Sequence, residues 1–241
     1  MRRGLGRFVL GAVVSLGLVA VVWEGFARSG LFSPALSPSL AVIGPTLVGM
    51  VASGVIFVHI GYTLYRILWG LGLAALVGGP IGILMGRFKV VERFFIPLVS
   101  VLSPIPSLAW VPLFILWFGL GDAASIALVL YAATFPLILN TWTGVRSVNR
   151  LWLRAAEAMG ADARSLFRKV VLPGSLPFVI AGLRQGFARS WIAVVGGEMI
   201  AATSWGLGWV IFDSKEFLRT EVMLATLLVI GVLGLGFERL I

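Results

Sequence analysis

Glu198 stands in AGLRQGFARSWIAVVGGEMI (181–200), an apolar run in which the nearest other charge is Arg189. A carboxylate there is costly and too short to reach far toward water, so it belongs in a bundle interior or on a solute pathway. Few other residues have types that do chemistry. The chain has no cysteine and one histidine, His59, which excludes disulfides, thiol catalysis, thiolate metal sites and histidine clusters. His59 itself reads as a polar interfacial residue. No His-Glu-x2-His, serine-nucleophile motif or intramembrane carboxylate pair occurs, so the expected catalytic and metal-ligating sets are both empty. Two further clusters remain. Ser103 and Ser107 flank Pro104 and Pro106, and a charged island, RAAEAMGADARSLFRKVVLPGSLP (154–177), holds Arg154, Glu157, Asp162, Arg164, Arg168 and Lys169.

The elements that position these residues are dictated by composition. Of 241 residues, 59% are apolar and 12% charged, against roughly 45–50% and ~25% in soluble domains. Leu98 to Gly121 and Ala123 to Val145 contain no charge, and such runs read as membrane spans. The expectation is an all-α membrane protein, one domain over 1–241, with six spans at about 5–23, 62–86, 94–118, 123–144, 178–201 and 221–240. Leu5 to Trp23 has no A-x-A-like cleavage site after it and is read as an uncleaved first helix. Residues 33–39 read SPALSPS, and the apolar segment that follows is interrupted by Gly44-Pro45. We expect about 39–60 to lie at the outer surface rather than add a seventh span.

Basic residues orient the spans. Arg2, Arg3, Arg7, Arg87, Lys89, Arg93, Arg146, Arg150, Arg154, Arg164, Arg168, Lys169 and Arg239 fall on one side, against Arg28, Lys215 and Arg219 on the other. The positive-inside rule then puts both termini and the island in the cytoplasm. The net charge of +9 reflects this topology and attraction to anionic lipid, without invoking nucleic acid.

Within the spans, Gly70, Ala74, Gly78, Gly82 and Gly86 recur every four residues, a stripe that lets another helix approach closely; Pro80 predicts a kink. The third span carries Pro97, Pro104, Pro106 and Pro112. Each removes a backbone donor, so this span is either a kinked packing helix or a broken one lining a pathway. Arg66, Arg184 and Arg189 are expected to snorkel toward a surface. Asp213, Lys215 and Glu216 read as a solvated outer loop. The candidate pathway set is Ser103, Pro104, Pro106, Ser107, Trp191 and Glu198; the packing set is Gly78, Gly82 and Gly86.

The island reads as two short helices. Asn149 caps the first and Gly160 ends it; Asp162 caps the second, which stops near Pro173. One face is apolar, the other charged, and the bend is built of Ala155, Ala156, Gly160 and Ala161. Such a unit suits either a partner's groove or an anionic membrane surface.

Gly160, nine residues, then Val170-Val171-Leu172-Pro173 resembles the EAA loop of bacterial ABC importer permeases, E-A-A-x3-G-x9-I-x-L-P. Ala155, Ala156, Gly160, Leu172 and Pro173 match, Val170 is a conservative fit, and Arg154 stands where the pattern has Glu. SPIPSLAWVPLFILWFGLGD (103–122), FPLILNTWTGVRSV (135–148), AGLRQGFARSWIAVVGGEMI (181–200) and GLGWVIFDSKEFLRTE (206–221) are similar to the nitrate/sulfonate/taurine branch of these permeases. The resemblance implies a type I importer transmembrane fold in the bacterial inner membrane. It implies two permease copies, two ATPase subunits that bind ATP and Mg, and an extracytoplasmic solute-binding protein. It also implies an ATPase-coupling loop at about 146–176 that includes Arg154, Ala155, Ala156, Glu157, Met159, Gly160, Ala161, Asp162, Arg164, Leu172 and Pro173. Sulfonate, taurine, nitrate or bicarbonate would be the cargo, moved by alternating access. This chain has no Gly-x4-Gly-Lys-Ser/Thr phosphate loop, so hydrolysis is expected in the partner and no cofactor here. An ion-coupled transporter would want several intramembrane carboxylates or an inverted repeat, and a membrane enzyme would want a catalytic motif. The sequence offers neither.

Overall fold

The computed structural model describes the backbone of residues 2–202 and 204–240, and the side chains of 14–202, 204–237 and 239. Every regular element among them is helical. The order is α1 (Arg2–Arg28), α2 (Leu40–Ala52), α3 (Val55–Arg87), α4 (Lys89–Leu102), a 3-10 turn (Ser107–Trp110), α5 (Val111–Phe118), α6 (Asp122–Ser147) and α7 (Arg150–Ala158). Then come α8 (Ala163–Leu166), a π-helical turn (Phe167–Val171), α9 (Leu172–Ala201), α10 (Leu207–Glu216) and α11 (Thr220–Leu240). Among the described residues four helical stretches, 55–87, 122–147, 163–201 and 220–237, are long and apolar enough to cross a membrane, or five if the broken pair α4/α5 counts as one. The first expected span, 5–23, falls on α1, whose side chains up to residue 13 lie outside the described residues.

α6 is the centre, with α3 and α9 on its two sides. The α3 stripe explains the first contact. A Cβ built on Gly82 would sit 2.7 Å from the Ile138 carbonyl and from Thr141 Cβ, and one on Gly86 2.5 Å from Val145 Cβ. Gly78 meets the Thr134 carbonyl at 3.0 Å, and Ala74 is buried against Ala133 and Leu137. In lipid, such close backbone approach replaces the hydrophobic drive that would join helices in water. α9 uses the same device: Gly182 and Gly186 lie against Asn140 and Ala133 of α6.

Several sequence boundaries need correction. The second span begins at Val55, not 62. At 33 residues α3 is roughly 50 Å long, longer than the ~30 Å hydrocarbon core. Pro80 lies inside this unbroken helix. The segment 39–60 is therefore not one surface element: α2 packs on α11, α3 and α1, Ser53 and Gly54 turn the chain with Gly54 at φ +76°, and 55–60 already belong to α3. The third span, expected over 94–118, starts at Lys89 and bends by 88° between α4 and the 107–118 helix. Pro104 and Pro106 sit at that bend, where no α-helical ladder could pass through two missing donors. Residues 207–216 form a helix rather than a loop.

The second island helix does not stop near Pro173. It runs on into α9 as one stretch, 163–201, through the π turn. Leu172 N–H bonds to the Phe167 carbonyl five residues back, and this wider turn precedes the position where Pro173 lacks an N–H and its ring needs room.

Candidate functional site

Three assemblies collect the chemistry-bearing residues. The first is a buried polar cluster that sequence reasoning left scattered. Arg66 of α3 is 2% exposed and Glu198 of α9 is fully buried. Arg66 Nη1 donates to Glu198 Oε1 at 2.7 Å and to the Trp205 carbonyl at 2.7 Å, while Nε and Nη2 reach Asp122 Oδ1, each at 2.7 Å. Glu198 Oε2 accepts from Thr63 Oγ1 at 3.0 Å and from Gly208 N–H at 2.9 Å. Leu207 N–H donates to Thr63 Oγ1, and Gly206 N–H to His59 Nδ1 at 3.2 Å. The cluster ties the turn after α9 to α3 and to the first residue of α6.

Glycine is required at that turn. Gly206 has φ +133°, and a Cβ there would lie 2.5 Å from Arg66 Nη1 and from the Glu198 carboxyl carbon. On Gly208 it would lie 2.1 Å from the Val195 carbonyl. Arg66 therefore does not snorkel, and His59, 5% exposed, stacks on Trp209 and is tilted against Trp205. The signal for the pair was present: lone opposite charges in apolar runs pair with each other at far lower cost than either stands alone.

The second assembly is a cavity of 330 Å³ at the break between α4 and α5. Ser103, Pro104, Pro106 and Ser107 line it, together with Tyr131 and Phe135 of α6 and Arg189 of α9. The structure thus brings together four of the six expected pathway residues. Glu198 is absent from this lining because it is closed into the cluster above. Trp191 faces the other way, its ring 5.6 Å from that of Phe237 of α11, and a Cβ built on Gly234 would lie 3.0 Å from its Nε1.

The third is the island. Asn149 Oδ1 accepts from Leu151 N–H at 2.8 Å, Asp162 Oδ1 accepts from Ser165 N–H at 3.2 Å, and Gly160 has φ +83°. Ala161 N–H reaches back to the Ala156 carbonyl at 3.0 Å, which closes the first helix as a left-handed glycine end does. Hydrogen bonds from Ser165 hold the Asp162 carboxyl below its usual range, so the cap is charged at neutral pH. Leu153, Leu166, Phe167 and Val170 pack inward on Val145, Val148 and Val171. The outward face keeps Leu151, Trp152 and Met159 exposed, Met159 at 82%. Ala156, Met159, Gly160, Ala161 and Asp162 border a 420 Å³ surface hollow with Lys169 and Val170. A Cβ on Gly160 would meet nothing within 4 Å, so within this chain the glycine serves conformation alone. Leu172 and Pro173 lie beyond the π turn, at the start of α9, rather than at this bend. At the loop's other end Arg146 bridges to Glu92 of α4.

A bundle with a broken span over a cavity, and a capped hairpin showing an apolar face, is the build of a multi-pass membrane transport subunit. Residues 78–241 match the model of the binding-protein-dependent transport system inner membrane component family. The chain belongs to that family and is an ABC transporter permease. It is 34% identical to the taurine transport system permease protein TauC of Escherichia coli over 97% of this chain and 86% of TauC. It is 30% identical to the bicarbonate transport system permease protein CmpB of Synechococcus elongatus, covering 74% of this chain and 64% of that one. The fold is similar to the inward-facing MetNI methionine ABC transporter (TM-score 0.67, 18% identity, 77% of this chain and 93% of that chain), that is, a type I importer transmembrane fold.

Proposed function

We propose that this chain is the membrane-spanning subunit of an ATP-driven importer for a small anion of the sulfonate, taurine, nitrate or bicarbonate class. The observation that carries the reading is the exposed face of the island in a member of this family: Leu151, Trp152 and Met159 lie uncovered beside a rigidly capped bend. Exposed apolar side chains grouped in this way mark an interaction surface. Its occupant in this reading is an ATPase subunit, two of which serve two copies of this chain in the bacterial inner membrane. Met159 and Gly160 to Asp162 form the tip, Ala155, Ala156 and Glu157 the first helix, and Arg154 and Arg164 the charged flank. Leu172 and Pro173 join the tip to α9, so that movement of the tip is delivered to a membrane-crossing helix without a flexible link.

Both termini and the island face the cytoplasm in this reading, and an extracytoplasmic binding protein delivers the cargo at the other side. ATP binding and hydrolysis belong to the partner. Ser103, Pro104, Pro106 and Ser107 line the route, where the helix break exposes backbone groups that a polar solute can use. The test is reconstitution of the chain with its ATPase and binding protein in proteoliposomes, with uptake of labelled taurine, methanesulfonate and bicarbonate followed. ATP-dependent, binding-protein-dependent accumulation of one of them is the expected result; ATP-independent uptake driven by an ion gradient would replace this reading with a secondary transporter.

A further inference from the structure

Arg189 is out of place for a snorkelling arginine. It lies in the interior of α9 (Leu172–Ala201), roughly 18 Å of helix from its C-terminal end and roughly 25 Å from its N-terminal end at 1.5 Å per residue, and its exposed side chain borders the cavity at the α4/α5 break. It is the one charged residue in that lining. Unlike Arg66, whose charge is met by Glu198 and Asp122, Arg189 has no hydrogen-bond or ion-pair partner among the described residues; nor have the hydroxyls of Ser103 and Ser107 in the same lining. Nothing acidic lines the cavity to neutralise it. A cation retained in mid-span without a protein counter-charge is a functional group by default.

We infer that Arg189, with Ser103 and Ser107, forms an oxyanion subsite inside this chain, which takes a small sulfonate, carboxylate or bicarbonate group in transit. A guanidinium offers a planar fork of N–H donors that matches two oxygens of such a group, and the two hydroxyls of the same lining add donors. The 330 Å³ volume is at the small end of ligand pockets, about 300–1,000 Å³, and so favours a compact anion over a large solute. The inference rests on the importer reading and adds that selection for negative charge is repeated within the membrane.

The chain has no cysteine, which makes Arg189→Cys a single addressable thiol. The assembled transporter carrying it is reconstituted, and uptake of labelled taurine, methanesulfonate and bicarbonate is measured per assembled complex. Measurements are made before and after modification with 2-aminoethyl or 2-sulfonatoethyl methanethiosulfonate, with the unsubstituted complex treated alike. Loss of a charge-assisted contact predicts a fall of about tenfold or more, recovered to at least a third by the cationic adduct and not by the anionic one. Undiminished uptake by Arg189→Cys, or equal effects of the two adducts, would overturn the subsite while leaving the importer reading intact. Failure of the unsubstituted complex to accumulate any of the three anions would overturn the anion-importer reading itself, and this inference with it. Should Arg189→Cys not assemble, Arg189→Lys against Arg189→Gln gives the same contrast: retained uptake with lysine and loss with glutamine support the subsite, and equal uptake sinks it.

Discussion

Replacing Glu198 by leucine removes one side of the buried cluster and leaves the other in place. Arg66 keeps Asp122 and the Trp205 carbonyl, but its Nη1 loses the only partner that is fully buried. Breaking a buried pair from one side costs about 3–5 kcal/mol. The surviving Asp122 contact, 44% exposed, argues for the lower end. Thr63 Oγ1 and Gly208 N–H also lose their acceptor, at about 1 kcal/mol each. Together these give a destabilisation of about 5 kcal/mol for Glu198→Leu, against about 0.5 kcal/mol or less for Glu216→Leu at an exposed position. Equilibrium unfolding of the purified chain in mixed dodecyl maltoside–SDS micelles measures both. The double variant Arg66→Met/Glu198→Leu removes both charges, so it should be more stable than Glu198→Leu alone. A Glu198→Leu value within 1 kcal/mol of Glu216→Leu, or strict additivity in the double variant, would refute the reasoning.

Three further outcomes are expected. Gly82→Leu should weaken the chain by several kcal/mol or block its assembly, since even a Cβ falls 2.7 Å from α6, whereas Gly72→Leu meets nothing within 4 Å and should be tolerated; thermal denaturation in detergent compares them. Gly160→Trp, strained at φ +83° and bulky at the tip, should reduce ATPase co-purification more than Arg164→Ala, because an exposed charge pair contributes only ~0–1 kcal/mol; the opposite order would favour a lipid-surface helix. Cysteines at Met159 and Glu216, both exposed, should react with a membrane-impermeant reagent from opposite sides of the membrane, and labelling of both from outside intact cells would overturn the orientation.

What could be read in advance was whatever depends on local pattern. Charge-free runs gave the helices, because lipid leaves no other way to satisfy a backbone. The four-residue spacing from Gly70 to Gly86 put small residues on one face, and that face is the one that meets α6. Asn149, Gly160 and Asp162 marked the island's bend because caps involve side chain and backbone only a few residues apart. The lengths were less legible. Hydropathy cannot show that α3 starts at Val55 or that α9 extends back through the π turn, since helices run past the bilayer wherever tertiary neighbours cover them.

Pairings between distant residues belonged to the tertiary structure alone. Arg66 and Glu198 lie 132 residues apart, and only the packing of α3 and α9 around α6 makes them one site with Asp122. Arg189 and Trp191 are two positions apart on one helix, yet one borders the cavity and the other packs on α11, because a helix turns ~100° per residue and its neighbours decide what each direction means. By itself the sequence determined which residues are too costly to leave in lipid unaccompanied; the fold decided which of them, Glu198, is satisfied from within and which, Arg189, is left facing a cavity.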